Sequence, residues 1–179
     1  MKGRRRDDGA TQGIVGCVGS CIVKEGGTFW LTESYRFYRR RLPHWREKGS
    51  IYFVTWRTGK GRLRLASPER AEVVSAIKHF EGFRYELYAY VVMDDHVHVV
   101  VRPFEENELE SIVSSWKSFS AHRIQSIRKS RGSVWQREYF DRIVRDEKEL
   151  EEKRGYIQKN PFKRWPDLER YPWFWPQFE

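Results

Sequence analysis

Cysteine is scarce in this sequence, and its scarcity excludes several kinds of protein. Cys17 and Cys21 are the only two cysteines among 179 residues, so the chain lacks the disulfide framework of a small secreted domain. A structural zinc site would need a second pair of cysteines or histidines at matching spacing, and this segment has none. We therefore expect both side chains to be inert thiols.

Long apolar runs are also absent. No stretch approaches the roughly 20 apolar residues that a membrane-spanning helix requires. Residues 14–23 are mildly apolar and follow three arginines, but Gly16, Gly19 and Ser20 interrupt them. They therefore do not resemble the apolar segment of a secretion signal. We expect a cytoplasmic protein that makes no contact with a membrane.

Acidic residues are outnumbered in this chain. It has 34 lysines and arginines against 25 aspartates and glutamates, a formal net charge of +9, and 16% of its residues are aromatic. Cations bind phosphates and aromatic rings stack on bases, so this composition suits single-stranded nucleic acid. Charge alone describes an ordinary basic protein equally well.

The chain divides into a leader and a domain. Residues 1–30 are rich in glycine and charge without periodicity, which predicts a disordered or weakly ordered leader. Residues 31–179 are long enough to form a single domain with a real core. This domain ends in an aromatic tail, which we expect to pack back on the body because exposed large aromatics would form an aggregation-prone patch.

Hydrophobic patterning predicts four strands in the domain, at 51–56, 85–92, 96–102 and 139–144, where β-branched and aromatic residues concentrate. Two helices lie between them. The first is expected to begin at the capping residue Ser67. Its apolar stripe comprises Val73, Val74, Ile77 and Phe80. The apolar face of the second comprises Leu109, Ile112, Val113, Trp116 and Phe119.

A third helix follows the fourth strand. Asp146 is its expected cap, and it should end near Asn160 because Pro161 disfavours helical geometry in the residue before it. The glutamates of its first two turns are expected to form a solvated face. The order β-α-β-β-α-β followed by a helix predicts an α+β, ferredoxin-like sandwich with an antiparallel sheet. The first and third predicted strands are central in that topology.

Two histidines lie on the third predicted strand. His96 and His98 flank one apolar residue, so they project from the same face, about 7 Å apart at strand rise. Two imidazoles in this arrangement can share a divalent cation, although such a pair is more often a solvated or hydrogen-bonded face. With the helical Tyr156 downstream, the pair is what a metal-assisted nuclease with a tyrosine nucleophile needs.

The chain resembles the REP-associated tyrosine transposases, a branch of the single-tyrosine HUH transposases. One difference is visible: the family usually has Pro-Asn before the first histidine, and this chain has Asp94-Asp95. The resemblance covers residues from about 35 to the end. It rests on the segments 40–45, 52–55, 85–93, 96–98, 132–136, 140–146 and 156–161.

The resemblance implies an enzyme that nicks and joins DNA during transposition. It places a divalent metal, Mg²⁺ or Mn²⁺, on His96, His98 and Asn160, and it makes Tyr156 the nucleophile that forms a 5′-phosphotyrosine. The expected partner is single-stranded DNA with a hairpin, such as a palindromic REP element. The expected location is the bacterial nucleoid, and the protein would be a monomer or a homodimer.

Several basic residues are candidate phosphate contacts, and each is explained equally well as solubilising charge. The candidates are Arg39, Arg40, Arg41, Lys117, Arg123 and Arg142.

Two other functions are compatible with parts of the sequence. The chain could be a domesticated DNA-binding protein of palindromic repeats without cleavage activity, although all four expected catalytic and metal-binding residues are intact. A histidine-based phosphohydrolase is disfavoured, because a histidine triad would need a third alternating histidine where Val100 stands. The separated His-x-Thr or His-x-Ser motifs of a two-histidine phosphoesterase do not occur either.

Overall fold

The computed structural model of the chain describes residues 36–39, 43–59 and 64–176. The predicted leader, with Cys17 and Cys21, lies outside the described residues, and so do Arg40 and Arg41. No helix in the described part of the chain is long and apolar enough to cross a membrane.

The element order confirms the predicted α+β architecture. A five-stranded antiparallel sheet has the strand order β6-β3-β5-β4-β7, and a separate hairpin, β1–β2, precedes it. The elements are β1 (Arg36–Arg39), β2 (Pro43–Arg46), β3 (Ile51–Arg57), α1 (Ser67–Lys78), β4 (Tyr85–Val92), β5 (His96–Pro103), α2 (Leu109–Arg128), β6 (Phe140–Val144), α3 (Glu147–Arg164) and β7 (Phe174–Trp175).

The sheet separates two cores. Along β5, Val97, Val99 and Val101 pack on one side against α1 and α2. Val100 packs on the other side, together with Leu150 and Ile157 of α3. Because side chains alternate along a strand, His96 and His98 lie on the α3 side. The sheet therefore holds both histidines on a rigid central strand and presents them to the third helix.

The start of α1 differs from the prediction. The residue before the helix is Ala66, and Ser67 is already helical. Glu69 satisfies the free amide of Ala66 instead, since its Oε2 accepts that N–H at 2.7 Å. The same carboxylate accepts hydrogen bonds from Arg128 at the end of α2. The buried Glu69 thus links α1 to α2 on the side of the sheet opposite α3.

Replacing Glu69 with glutamine should destabilise the fold. Burial alone would raise the pKa of Glu69, but the hydrogen bonds from Arg128 and Ala66 and the charge of Arg128 lower it below its usual value. Removing the charge leaves the guanidinium without its counterion, at a cost of about 3 kcal/mol. Urea denaturation at pH 7 should show this loss.

The pH dependence provides the control for this prediction. A lowered folded-state pKa stabilises the protein above the pKa of the unfolded state, about 4.3, and this contribution disappears as the pH falls through the folded-state value. The difference in the free energy of unfolding between the wild type and the glutamine variant should therefore become smaller below pH 4. A difference that stays constant from pH 7 to pH 3 would assign the effect to packing and not to charge.

The end of α3 also differs from the prediction. Asp146 caps the helix as expected, accepting the amide of Glu149 at 2.7 Å. The helix does not stop at Asn160, however, but continues through Pro161 to Arg164. Proline removes one hydrogen bond, which the buried position of Pro161 and the contacts of Arg164 offset. The extension adds a further turn beyond the residue predicted to end the helix.

The aromatic tail packs back on the sheet, as expected. β7 pairs with β4 through Tyr90 and Val91. The hydroxyl of Tyr171, a buried residue, donates to the carbonyl of Val92 at 2.6 Å. The tail thereby covers an edge of the sheet that would otherwise expose unpaired backbone groups.

Candidate active site

The two histidines come together on the α3 side of the sheet. The rings of His96 and His98 have centroids 4.7 Å apart and meet at 70°. Their strand, β5, lies between β3 and β4, so both neighbours contribute to the site. On β3, Arg57 pairs with His96 and Thr55 pairs with His98.

His98 is buried and is held by two residues of β3. Its Nδ1 lies 2.7 Å from the Thr55 hydroxyl, and its ring stacks on Phe53 with centroids 5.3 Å apart. Burial, with the nearby charges of His96 and Arg57, lowers the pKa of His98 to about 3, so the ring is neutral at physiological pH. Its Nε2 is buried without a hydrogen-bond partner. A neutral imidazole with an unpaired buried nitrogen is well suited to bind a metal.

Asp95 orients the other histidine. Its Oδ1 lies 2.6 Å from Nδ1 of His96. Burial would raise the pKa of Asp95, but the hydrogen bond to His96 and the charges of His96 and Arg164 lower it below its usual value. A carboxylate on one ring nitrogen fixes the imidazole and leaves Nε2 to face a ligand, as in many metal sites. One of the two residues that depart from the family pattern therefore has a direct role in the geometry.

The predicted nucleophile lies above this pair. Tyr156 projects from α3, and its ring centroid is 5.2 Å from that of His98 and 6.2 Å from that of Phe53. The side chain is 40% exposed, so a substrate can reach it. Lys163 lies 5.5 Å from the centre of the Tyr156 ring. Strand and helix thus bring together residues that are far apart in sequence.

Asn160 lies one turn beyond Tyr156. The four-residue spacing places both on one face of α3, and Asn160 is half-buried. No group of three histidine, cysteine, aspartate or glutamate side chains within the described residues could hold a metal. A cation on His96 and His98 would therefore require oxygen from an amide, a phosphate or water. Helix α3 carries two amide side chains, Gln158 and Asn160, and Asn160 is the one that shares the face of Tyr156.

Gly155 has no close-packing role. A methyl group added at this glycine would meet nothing within 4 Å. A glycine directly before Tyr156 also permits greater freedom of the helix at that point, and this second interpretation stays a prediction.

Arg164 of α3 and Arg64, which precedes α1, both bond to the turn before β5. Asp94 is 8% exposed, and its Oδ2 accepts hydrogen bonds from Arg64 and, at 3.0 Å, from Arg164. Arg164 belongs to the turn of α3 that follows Pro161. Since the turn that contains Asp94 leads directly into His96, this ion pair connects the tyrosine helix to the histidine strand.

In the DNA-cleaving enzyme that the resemblance implies, replacing Arg164 with methionine should have a large effect on the cleavage rate and only a small effect on the free energy of unfolding. The apolar stem remains, but the helix loses its anchor to Asp94, and a displacement of about 1 Å at a reacting group can cost up to a hundredfold in rate. We expect a loss of about tenfold in cleavage rate. Arg154→Met is the matched control, because Arg154 pairs with Glu151 on the same helix. Equal rates for the two variants would contradict a positioning role.

The predicted phosphate contacts are dispersed over the described structure. Lys117 and Arg123 lie on α2, across the sheet from Tyr156. Lys117 donates to the carbonyl of Arg137 at 2.9 Å, and Arg123 forms two hydrogen bonds with Glu72. Arg39 lies in β1, whose backbone pairs with β2. Of the described candidates on the main sheet and its helices, only Arg142 shares the face of the sheet that carries His98.

Arg142 belongs to a cluster around Glu149. This glutamate was expected on a solvated face, but it is 6% exposed and lies within 4.0 Å of Arg142, Arg145 and Lys153. Burial would raise the pKa of Glu149, but the hydrogen bonds from Arg145 and the charges of Arg142 and Arg145 lower it below its usual value. The expectation was wrong because the sequence does not show that α3 turns this residue toward β6.

Sequence reasoning also missed Arg57 and Thr55. Arg57 is exposed and lies directly opposite His96, and Thr55 holds His98. The only available signal was the strand alternation from Thr55 to Arg57. This alternation shows that Thr55 and Arg57 adjoin the histidines only when the register between β3 and β5 is known.

Comparison with known proteins supports the resemblance. The sequence model of the family described as Transposase IS200 like matches residues 34–160. A Haemophilus influenzae protein that carries the name of a REP-associated tyrosine transposase is 26% identical over 140 residues, covering 70% of this chain and 76% of the relative. A solved REP-associated tyrosine transposase, bound to a REP hairpin, has a similar fold. Its TM-score is 0.61 at 22% identity, covering 76% of this chain and 80% of the other.

Proposed function

This chain belongs to the IS200-like transposase family, and we propose that it cuts single-stranded DNA beside a hairpin and stays attached to it through Tyr156. The observation that carries this proposal is the contact between Tyr156 and His98, whose buried Nε2 lacks a hydrogen-bond partner. The proposed nucleophile and the proposed metal-binding nitrogen thus belong to two side chains that are in contact.

The chemistry follows from these groups. The phenol oxygen of Tyr156 loses its proton, attacks the scissile phosphorus and forms a new P–O bond. The bond to the 3′ oxygen breaks, and this oxygen takes up a proton and leaves as a hydroxyl. A neutral phenol is a weak nucleophile. A divalent metal, Mg²⁺ or Mn²⁺, bound by His96, His98 and Asn160 would polarise the phosphate and stabilise its developing charge. Asp95 and Thr55 orient the two imidazoles, and Arg57 is placed to bind a phosphate oxygen.

The covalent product keeps the energy of the broken bond. A 3′ hydroxyl can attack the phosphotyrosine and rejoin the strand, so strand transfer requires no ATP. Tyr156 and His98 of one chain are in contact, and a single protomer therefore supplies both the nucleophile and the proposed metal ligands. We propose that the monomer is competent for cleavage, and that it acts on palindromic repeats of the chromosome, in the nucleoid.

A labelled cleavage assay tests this function. Hairpin oligonucleotides that carry the palindromic repeats flanking the gene are incubated with the protein and Mg²⁺ or Mn²⁺, then run on a denaturing gel. A strand labelled at its 3′ end should form a slow protein–DNA band, and a strand labelled at its 5′ end should release a free fragment. Cleavage without a slow band would indicate a hydrolase that uses water. Binding without cleavage would favour a DNA-binding regulator.

A further inference from the structure

An exposed phenylalanine lies at the edge of the sheet beside the site. Phe140 begins β6 and is 49% exposed. Its backbone pairs with Thr55, and Thr55 pairs on its other side with His98. Directly opposed residues of antiparallel strands point to the same face. Phe140 therefore lies on the face that carries His98 and Tyr156.

The neighbours of Phe140, in β6 and directly before it, show that its exposure is specific to that position. Tyr139 and Ile143 point the other way and pack against the core beneath α1 and α2. Val144 shares the face of Phe140 and is buried in the core beneath α3. The core on this face thus covers one end of β6 and leaves the end nearest the histidines open.

Fixed positive charge adjoins the exposed ring. Arg142 lies two residues after Phe140 on the same face. The carboxylate of Glu149 lies 2.9 Å from the guanidinium of Arg142 and 3.1 Å from that of Arg145. Lys153, also beside Glu149, lies 5.3 Å from the centre of the Phe53 ring. Together with Lys148, these cations outnumber the carboxylates of the same pocket, Asp146, Glu149 and Glu152, by four to three, which leaves one net positive charge between β6 and the tyrosine helix. An exposed aromatic ring beside fixed cations is the composition of surfaces that bind single strands, since rings stack on bases and cations hold phosphates.

We propose that Phe140 is the stacking platform for an unpaired base of the DNA strand that enters the active site. The inference rests on the proposed function, because it needs a single strand at Tyr156. Two strand spacings separate Phe140 from His98, about 10 Å, which places the stacked base next to the scissile phosphate. Stacking tolerates any base, so Phe140 positions the strand without reading its sequence.

Binding of a labelled thymidine oligonucleotide tests the proposal without requiring cleavage. In a Tyr156→Phe background, Phe140→Leu should weaken binding about tenfold, because leucine is apolar but cannot stack. Phe140→Trp should restore the affinity. Phe83→Leu is the matched control, since Phe83 is 83% exposed in the loop between α1 and β4. Unchanged affinity for Phe140→Leu, or no binding of the strand at all, would overturn the proposal.

A strand without bases separates stacking from other effects. The Tyr156→Phe protein, in which Phe140 is retained, should bind an abasic oligonucleotide of the same length more weakly than the thymidine strand. Adding Phe140→Leu should reduce the ratio of the two dissociation constants about tenfold. An equal difference in both proteins would overturn the stacking role. The cleavage assay is read separately. If Phe140 contributes to binding but no covalent adduct forms, only the proposed transposase chemistry is contradicted. If the adduct forms and Phe140→Leu changes neither its yield nor the binding affinity, only the stacking role is contradicted.

Discussion

Replacing Tyr156 with phenylalanine should abolish the covalent protein–DNA adduct and reduce cleavage by at least about a thousandfold. The substitution removes a single oxygen, the atom proposed to attack phosphorus. The ring can keep its contacts with His98 and Phe53. Melting temperature and affinity for a single strand should therefore remain close to those of the wild type.

A second tyrosine provides the matched control for this substitution. Tyr88 lies on β4 of the same sheet, and its hydroxyl bonds to Glu86, away from the histidines. Tyr88→Phe also removes one phenol oxygen and should cleave at the wild-type rate. An adduct that survives in Tyr156→Phe would assign the nucleophile to another residue, which peptide mapping of the adduct would then identify.

Replacing both His96 and His98 with alanine should remove metal binding and cleavage together. The two imidazoles are the proposed nitrogen ligands, and Mg²⁺ or Mn²⁺ also needs several oxygen ligands, which the remaining site cannot position without them. We expect cleavage to fall by about a thousandfold or more. Asn160→Ala should be milder, with Mn²⁺ affinity lowered about tenfold.

Metal binding should be measured directly as well as through activity. Calorimetry or electron paramagnetic resonance with Mn²⁺ on the Tyr156→Phe protein reports the site in the absence of turnover. The matched control replaces two histidines elsewhere, His79 and His122. His79 stacks on Phe119, and His122 lies on α2, across the sheet from Tyr156. Mn²⁺ binding that persists in the His96 and His98 double variant would refute the assigned site, even if cleavage were lost.

Local patterning was sufficient to predict most of the elements. The β-branched runs predicted the four main strands, and Asp146 predicted the start of α3. Two apolar stripes were only partly right, because Phe80 and Phe119 were assigned to them and are 37% and 48% exposed. Both flank His79 in aromatic contacts near the surface. Periodicity predicts which residues share a helix face, but it cannot show which of them lie beyond the edge of the core.

The features that the sequence predicted poorly depend on contacts between distant elements. Pro161 was expected to end α3, yet Arg164 reaches Asp94 in the turn before β5 and helps to hold a further turn. Glu149 was expected in solvent, yet it pairs with Arg142 of β6 and with Lys153 of its own helix. The β1–β2 hairpin and β7 were not predicted as strands, because short pairings have little local signal.

The sequence by itself determined that His96 and His98 share a face and that Tyr156 lies on a helix one turn before Asn160. Both follow from the fixed periods of strands and helices. Only the tertiary structure decided that Tyr156 lies over His98, that Thr55 holds this histidine, and that Arg57 and Phe140 adjoin the site. Strand register and the placement of α3 arise from packing of the whole domain, and local sequence does not encode them.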